Sequence, residues 1–284
     1  MFFKKKTRNQ QWKTSTETKV KSIKLENPFS YYTKRNSLAE GSSWLVFKAV
    51  KNLTGQMAAV KVIDVKEITP KKEVEFMQNT KHRNITKLLE IYLWKDVLYI
   101  CMEHCNGGSL WDLCYETGPL TELEIAYVTK ECLQALYYMH GRGYMHRDIK
   151  LENIFLTSTG VVKIGVFGEI DRMENLPDEV AGTEETRAPE VSKVGERGSY
   201  DEKCDIWSLG ISLLDLADCM SLVTYKPDEV YQSWATNTKN QWSEDFKSFV
   251  RAALTVDPAR RPTAEELYPS YPTLIKQRDM TRSS

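Results

Sequence analysis

The sequence predicts an α+β fold in two lobes: a small antiparallel β lobe with one main helix, then a larger, mostly helical lobe. Three observations carry this. Residues 36–103 fall into apolar-rich runs separated by turn residues, the signature of half-buried strands. Inside that region one segment, "TPKKEVEFMQNTKH", steps its apolar residues at helical spacing instead. From residue 104 onward, helix-period segments dominate.

In chain order, residues 1–30 are expected to form a flexible basic tail, carrying Lys4, Lys5, Lys6, Arg8, Lys13, Lys19, Lys21 and Lys24 with few apolar residues between them. "WLVFKAV" and "AAVKVIDV" flank "KNLTGQ", whose Thr-Gly marks a hairpin turn. In the helix that follows, Val74, Met77 and Gln78 share one face, with Thr69 as N-cap and Pro70 in the first turn. "LEIYLW" and "VLYICME" pair around Lys95-Asp96. The segment after Thr121 begins with a capping box to Glu124, runs on Ile125, Val128, Cys132, Leu136 and Met139, and stops at Gly141. "NIFLTSTGVVKIG" reads as a hairpin about Thr159-Gly160. "DIWSLGISLLDLA" is apolar on nearly every face, which predicts a buried helix. "SEDFKSFVRAAL" is amphipathic, with Ser243 as its cap. The expected domains are the tail at 1–30, an N-lobe at 31–103, a C-lobe at 104–272 and a C-terminal tail at 273–284.

Lys+Arg and Asp+Glu are equal at 39 each, so the formal net charge is zero. That gives no reason to expect nucleic acid as a partner, and no apolar run is long enough for a membrane span. The 6 cysteines include no C-x-x-C pair, and only 4 histidines accompany them. Reduced, buried thiols are therefore expected, rather than a zinc site or a disulfide frame, and with them a cytoplasmic location.

The most specific signal is "YMHRDIKLENIFL", which places a His-Arg-Asp-x-Lys-x-x-Asn string between a long helix and a β-hairpin. It resembles the catalytic loop of eukaryotic protein kinases. Other landmarks follow in the family's order: "AAVK", "KHRNI", the hinge-like "CMEHCNGG", "APEV" and "CDIWSLG". "LYICMEHCNGGSLWDLCYETGPLTELEIAYV" and "QWSEDFKSFVRAALTVDPARRPTAEEL" are most similar to the germinal-centre kinases, the mitogen-activated kinase kinase kinase kinases. That subfamily usually has "KGAN" where this chain has "KLEN".

The resemblance implies roles. Asp148 would accept the substrate hydroxyl proton, Lys150 would neutralise the transferred phosphate, and Asn153 would ligate a metal. Lys61, held by Glu73, would orient the nucleotide. Leu38, Gly41, Val46, Ala59, Met102 as gatekeeper, backbone at Glu103 and Cys105, and Phe155 would surround it. Lys150 and Thr183 agree with Ser/Thr specificity. Glu190 should pair with Arg261, and Asp205 should brace the catalytic loop. Phe167 should stack with His146, Met77 and Leu88.

The departures gather around phosphate and metal. Val166 stands where the family's metal-binding aspartate is expected, and a valine has no oxygen to offer Mg²⁺. Of the glycine-rich loop only Gly41 remains, with Ala39 and Trp44 at the other two positions. The indole either crowds the phosphate space or points outward. Phe155 stands where the family usually has a leucine, and reads as an ordinary core substitution, with sandwiching a purine or filling its place as the alternatives. The activation segment is acidic, with Glu179 at the subfamily's phosphoserine position and Glu184-Glu185-Thr186-Arg187 replacing Pro-Tyr-Trp-Met. It is either a partial phosphate mimic or a solvated acidic loop. The resemblance thus implies ATP as the nucleotide, while Val166 argues against Mg²⁺. The expectation is a pseudokinase working through protein partners, a kinase or a scaffold. The alternative is an active Ser/Thr kinase of low turnover acting on a protein substrate.

Overall fold

The computed structural model describes residues 22–41, 44–66, 70–219, 226, 229–238 and 240–270. The chain divides into two compact units, one of residues 1–69, 74–79 and 88–102, the other of residues 70–73, 80–87 and 103–284. The first is strand-rich and the second mainly helical, as the α+β reading requires.

The first unit is built on a five-stranded sheet. Its strands are β1 (Tyr32–Glu40), β2 (Trp44–Lys51), β3 (Met57–Asp64), β4 (Leu88–Trp94) and β5 (Val97–Glu103), in the order β1-β2-β3-β5-β4. The hairpin turns fall where the sequence puts them. Gly55 takes a φ of 69° between β2 and β3, and Lys95 and Asp96 take 51° and 63° between β4 and β5. One face of the sheet buries Phe47, Ala49, Ala58 and Val60 with Tyr32, Tyr92 and Cys101. Residues 24–30, placed by the sequence in the basic tail, lie against this sheet. Lys24 donates its N–H to the Ile91 carbonyl at 3.0 Å and its Nζ to Glu90 at 2.8 Å.

Helix α1 (Lys71–Asn79) forms over the expected segment. Its proposed cap, Thr69, lies outside the described residues, and Pro70 occupies the N-cap position with no side-chain bond.

The second unit holds α2 (Leu110–Thr117), α3 (Glu122–His140), β6 (Tyr144–Met145), β7 (Ile154–Leu156), β8 (Val162–Ile164) and β9 (Asp171–Arg172). These are followed by α4 (Pro189–Ser192), α5 (Val194–Arg197), α6 (Lys203–Asp218), α7 (Val230–Asn237), α8 (Glu244–Ala253) and α9 (Ala264–Ser270). The capping box of α3 is present in both directions: Thr121 Oγ1 accepts from the Glu124 N–H at 3.4 Å, and Glu124 accepts from the Thr121 N–H at 2.8 Å. Ser243 caps α8 through the Phe246 N–H at 3.1 Å. Helix α6 is buried from Cys204 to Leu214, as its all-round apolarity requires. Among the described residues, no helix is long and apolar enough to cross a membrane.

One expectation is overturned. Cys114 on α2 and Cys219, just past α6, form a disulfide across 105 residues of sequence. The thiols of Cys101, Cys105, Cys132 and Cys204 are free. The pair escapes a spacing rule because packing of α2 against the end of α6 creates it. The Leu120 N–H reaches the Leu216 carbonyl there at 2.9 Å.

Beside this clasp, burial and the nearby Glu152 carboxylate push the Asp215 carboxyl up to about 7. An acid whose folded pKa is raised stabilises the fold fully below its unfolded pKa. That contribution is lost as pH rises through the folded value. The gap from an ordinary aspartate bounds the effect at ~4 kcal/mol. Asp215→Asn is therefore expected to raise the denaturation midpoint at pH 8 and to leave it nearly unchanged at pH 4. An equal change at both pH values would refute this.

Candidate catalytic site

The catalytic-loop residues converge. Asp148 Oδ1 accepts from the Thr183 N–H at 3.1 Å and from Thr183 Oγ1 at 2.7 Å. Its Oδ2 accepts from Asn153 Nδ2 at 2.8 Å. Lys150 Nζ donates to Thr183 Oγ1 at 2.6 Å and lies 3.6 Å from Asp148 Oδ2. Asp148, Lys150, Asn153 and Thr183 thus form one polar cluster, with the lysine charge beside the carboxylate that would take a proton. Gly182 makes this possible. Its φ is 76°, and a Cβ there would meet the Arg147 carbonyl oxygen at 2.1 Å, so only glycine allows Thr183 this approach.

The loop is held from beneath by Asp205, which is fully buried. Its carboxylate accepts from the backbone N–H groups of His146 and Arg147, both at 2.8 Å, and meets His140 Nε2 at 2.9 Å. These bonds fix Arg147 at a φ of 69°. The His146 ring packs edge-on to Phe167, with centroids 5.4 Å apart. Met77 and Leu88 are both buried.

Val166 is half-buried and takes a φ of 60°. A β-branched residue pays a steric penalty in the left-handed region that asparagine or aspartate largely avoids. The preceding residue, Gly165, is pinned at both its backbone groups. The Gly165 N–H donates to the Asn153 carbonyl at 2.9 Å, and the Gly165 carbonyl meets His146 Nε2 at 3.0 Å. Val166→Asn is expected to stabilise the chain by ~1 kcal/mol, read from the urea midpoint. A loss of stability would show that Val166 packing outweighs backbone strain.

Val166 contributes no oxygen, which leaves the Asn153 amide oxygen without the carboxylate that usually accompanies it in holding Mg²⁺. Among the described residues, no three or more His, Cys, Asp or Glu side chains gather into a group that could hold a metal ion.

In the first unit, the register pairs Trp44 with Ile63, Val46 with Lys61 and Lys48 with Ala59. Directly paired and alternate residues share a sheet face, so Trp44 lies on the face of Val46, Ala59 and Lys61. Its indole covers Gly41, where an added Cβ would meet ring atoms at 2.5 Å. The Lys61 ammonium stands 5.7 Å from the indole centroid. The outward-pointing alternative is thereby overturned. Lys61 is buried, Leu38 is half exposed in the irregular part of β1, and Met102 is half-buried.

On the second unit, Glu73 is buried. The Glu103 carboxylate is engaged by Lys163 at 2.8 Å and by the Lys87 N–H at 2.6 Å. The Cys105 carbonyl accepts from Gly108 at 3.3 Å. The half-buried Phe155 ring sits against Gly165, at 2.9 Å from where a Cβ would stand.

The activation segment is tied to Arg147. Its Nε donates to the Glu169 carbonyl at 2.5 Å, one Nη donates to Tyr200 at 3.1 Å, and the Glu179 carboxylate lies 3.4 Å away. The Tyr200 hydroxyl in turn donates to the Glu179 carbonyl at 3.1 Å. Glu179 thus faces the arginine, though its carboxylate is largely exposed and the pair is weak. Arg187 folds back onto the carbonyls of Ala181 and Gly182, at 3.0 and 2.6 Å.

Sequence reasoning missed Asp171. It is buried, paired with Lys72 of α1 at 2.5 Å and with Arg147 at 3.5 Å. Its only sequence signal was membership of an acidic run. The expected Glu190–Arg261 pair is present and bidentate, at 2.5 and 3.0 Å.

Comparison with known proteins agrees with this geometry. The chain is 39% identical over 261 residues to mitogen-activated protein kinase kinase kinase kinase 3 of Rattus norvegicus and of Homo sapiens, an alignment covering 86% of this chain. It is 35% identical over 284 residues to serine/threonine-protein kinase 1 of Arabidopsis thaliana, covering 93% of this chain. The chain spans about a third of each relative's length: 30% and 29% of the first two and 33% of the third. The family model described as protein kinase domain matches residues 32–270. With that match and the catalytic-loop cluster together, the chain belongs to the protein kinase domain family.

Proposed function

We propose that this domain is a pseudokinase of the Ser/Thr class: a cytoplasmic interaction or allosteric module in kinase signalling, with absent or very weak phosphotransfer. The observation that carries the reading is Val166, held at a φ of 60° where a metal-binding carboxylate is expected. Trp44 on the Lys61 face supports it, because an indole there competes with phosphate for the same lysine-bearing surface. Under this reading ATP binding is weak and independent of Mg²⁺, and partners bind as proteins, a kinase or a scaffold.

A second reading, an active Ser/Thr kinase of low turnover, is favoured by the Asp148–Lys150–Asn153–Thr183 cluster. There Asp148 would take the hydroxyl proton and Lys150 would offset charge on the transferred group. A few kcal/mol of lost stabilisation would lower the rate by roughly 10² to 10⁴ without abolishing it.

The test is a thermal-shift titration with ATP, with and without Mg²⁺, followed by transfer to a generic protein substrate. The pseudokinase reading expects no Mg²⁺-dependent shift and no transfer above background. Mg²⁺-dependent transfer abolished by Asp148→Asn overturns it. Val166→Asp alone is expected to restore little, since Trp44 remains on the Lys61 face.

A further inference from the structure

We propose that Cys219 and Cys114 form a reversible, peroxide-responsive thiol pair that fastens α2 to the end of α6. Three observations single out this pair. Cys219 is solvent-exposed, in a left-handed C-cap position with a φ of 48°, and its N–H donates to the Asp215 carbonyl at 2.7 Å. Cys114 is buried on the inner face of α2, within bonding reach of it. The other thiols are poor reactants. Cys101, Cys132 and Cys204 are buried, and burial pushes the Cys101 thiol up to about 12 and the Cys105 thiol up to about 11. The thiolate is the reactive form, so these four react slowly.

The chemistry needs one oxidant, a hydroperoxide. The exposed Cys219 thiolate attacks a peroxide oxygen, the O–O bond breaks, and the released hydroxide leaves as water after taking a proton. The resulting sulfenic acid is attacked by Cys114, which forms the S–S bond and expels a second water. Two thiols lose two electrons and two protons, and the peroxide is reduced to water. A dithiol reductant reverses the step by thiol–disulfide exchange through the exposed sulfur. Disulfides in a reducing compartment are usually transient in this way.

The consequence falls on α2. This helix follows the segment Glu103–Ser109 directly and carries Trp111 and Tyr115 on its outer face, 50% and 85% exposed. Closing a link over 105 residues restricts the unfolded chain and holds α2 in place when folded.

The test uses the full chain, reduced and desalted, then treated with stoichiometric hydrogen peroxide. Non-reducing digestion and mass spectrometry are expected to recover a Cys114–Cys219 linked peptide two hydrogens lighter than its parts. The other four cysteines should remain as thiols. The oxidised form should melt roughly 5–10 °C higher and show slower hydrogen exchange over 110–117. A dithiol should return both to the reduced values under native conditions. Cys219→Ser, an exposed and conservative change, should remove link, shift and slowing together. The proposal is overturned if peroxide yields no such link, if a dithiol cannot reverse it without unfolding, or if the shift persists in Cys219→Ser.

Discussion

Asp205→Ala is expected to cost ~3–5 kcal/mol, a large share of the 5–15 kcal/mol that holds a typical domain together. The wild-type carboxylate is fully buried and satisfies His140 and two backbone N–H groups of the catalytic loop. Alanine leaves all of these without a partner. It also releases Arg147 from its φ of 69°, so the tie from Arg147 to the activation segment should loosen with the loop. Chemical denaturation measures the cost, and a change below ~1 kcal/mol would refute it. The pH dependence gives a second reading. Burial works to raise the Asp205 pKa, but the His140 and His146 hydrogen bonds and charges outweigh it and hold the carboxyl below its ordinary 3.8. A depressed carboxyl stabilises the fold fully above its unfolded pKa and loses that contribution as pH falls through the folded one. Acid unfolding of the wild type should therefore steepen below pH 3.8, and Asp205→Asn should lack that part of the slope.

Arg261→Ala is the second large effect, also ~3–5 kcal/mol. Arg261 and Glu190 are 1% and 4% exposed. The guanidinium also donates to the carbonyls of Thr255 and Lys203, both at 2.9 Å, and lies 5.1 Å from the Trp207 ring centroid. Truncating it strands a buried carboxylate and several carbonyls at once. Glu190→Ala should cost about as much, because it strands the guanidinium instead. The double variant Arg261→Met with Glu190→Leu should cost less than the two alanine changes added together, since paired apolar replacements leave no buried charge. A double-mutant cycle reads the difference, and strict additivity would show that the two side chains act independently.

Much of this was legible in the sequence because it is written locally. The capping box from Thr121 to Glu124, the turns at Gly55 and Lys95-Asp96, and the catalytic-loop string all lie within a few residues of the features they set. Trp44 was only partly legible: its alternation with Val46 was in view, but the face was assigned by pairing with β3. Features that depend on distant segments meeting were hidden. Cys114 finds Cys219 through the packing of α2 on α6, and Asp171 finds Lys72 across about a hundred residues. The left-handed Val166 was hidden for another reason. Local preference opposes that conformation, and the restraint comes from the preceding residue, where Gly165 is held at its N–H by Asn153 and at its carbonyl by His146.

The Arg147–Glu179 contact is written into the chain rather than added to it. A phosphate on a hydroxyl is written by one enzyme and erased by another, so a segment held that way reports recent history. A carboxylate encoded in the chain is added at translation and removed only by proteolysis. The Arg147–Glu179 contact is therefore constant over the life of the chain, and salt, rather than an enzyme, is what weakens so exposed a pair.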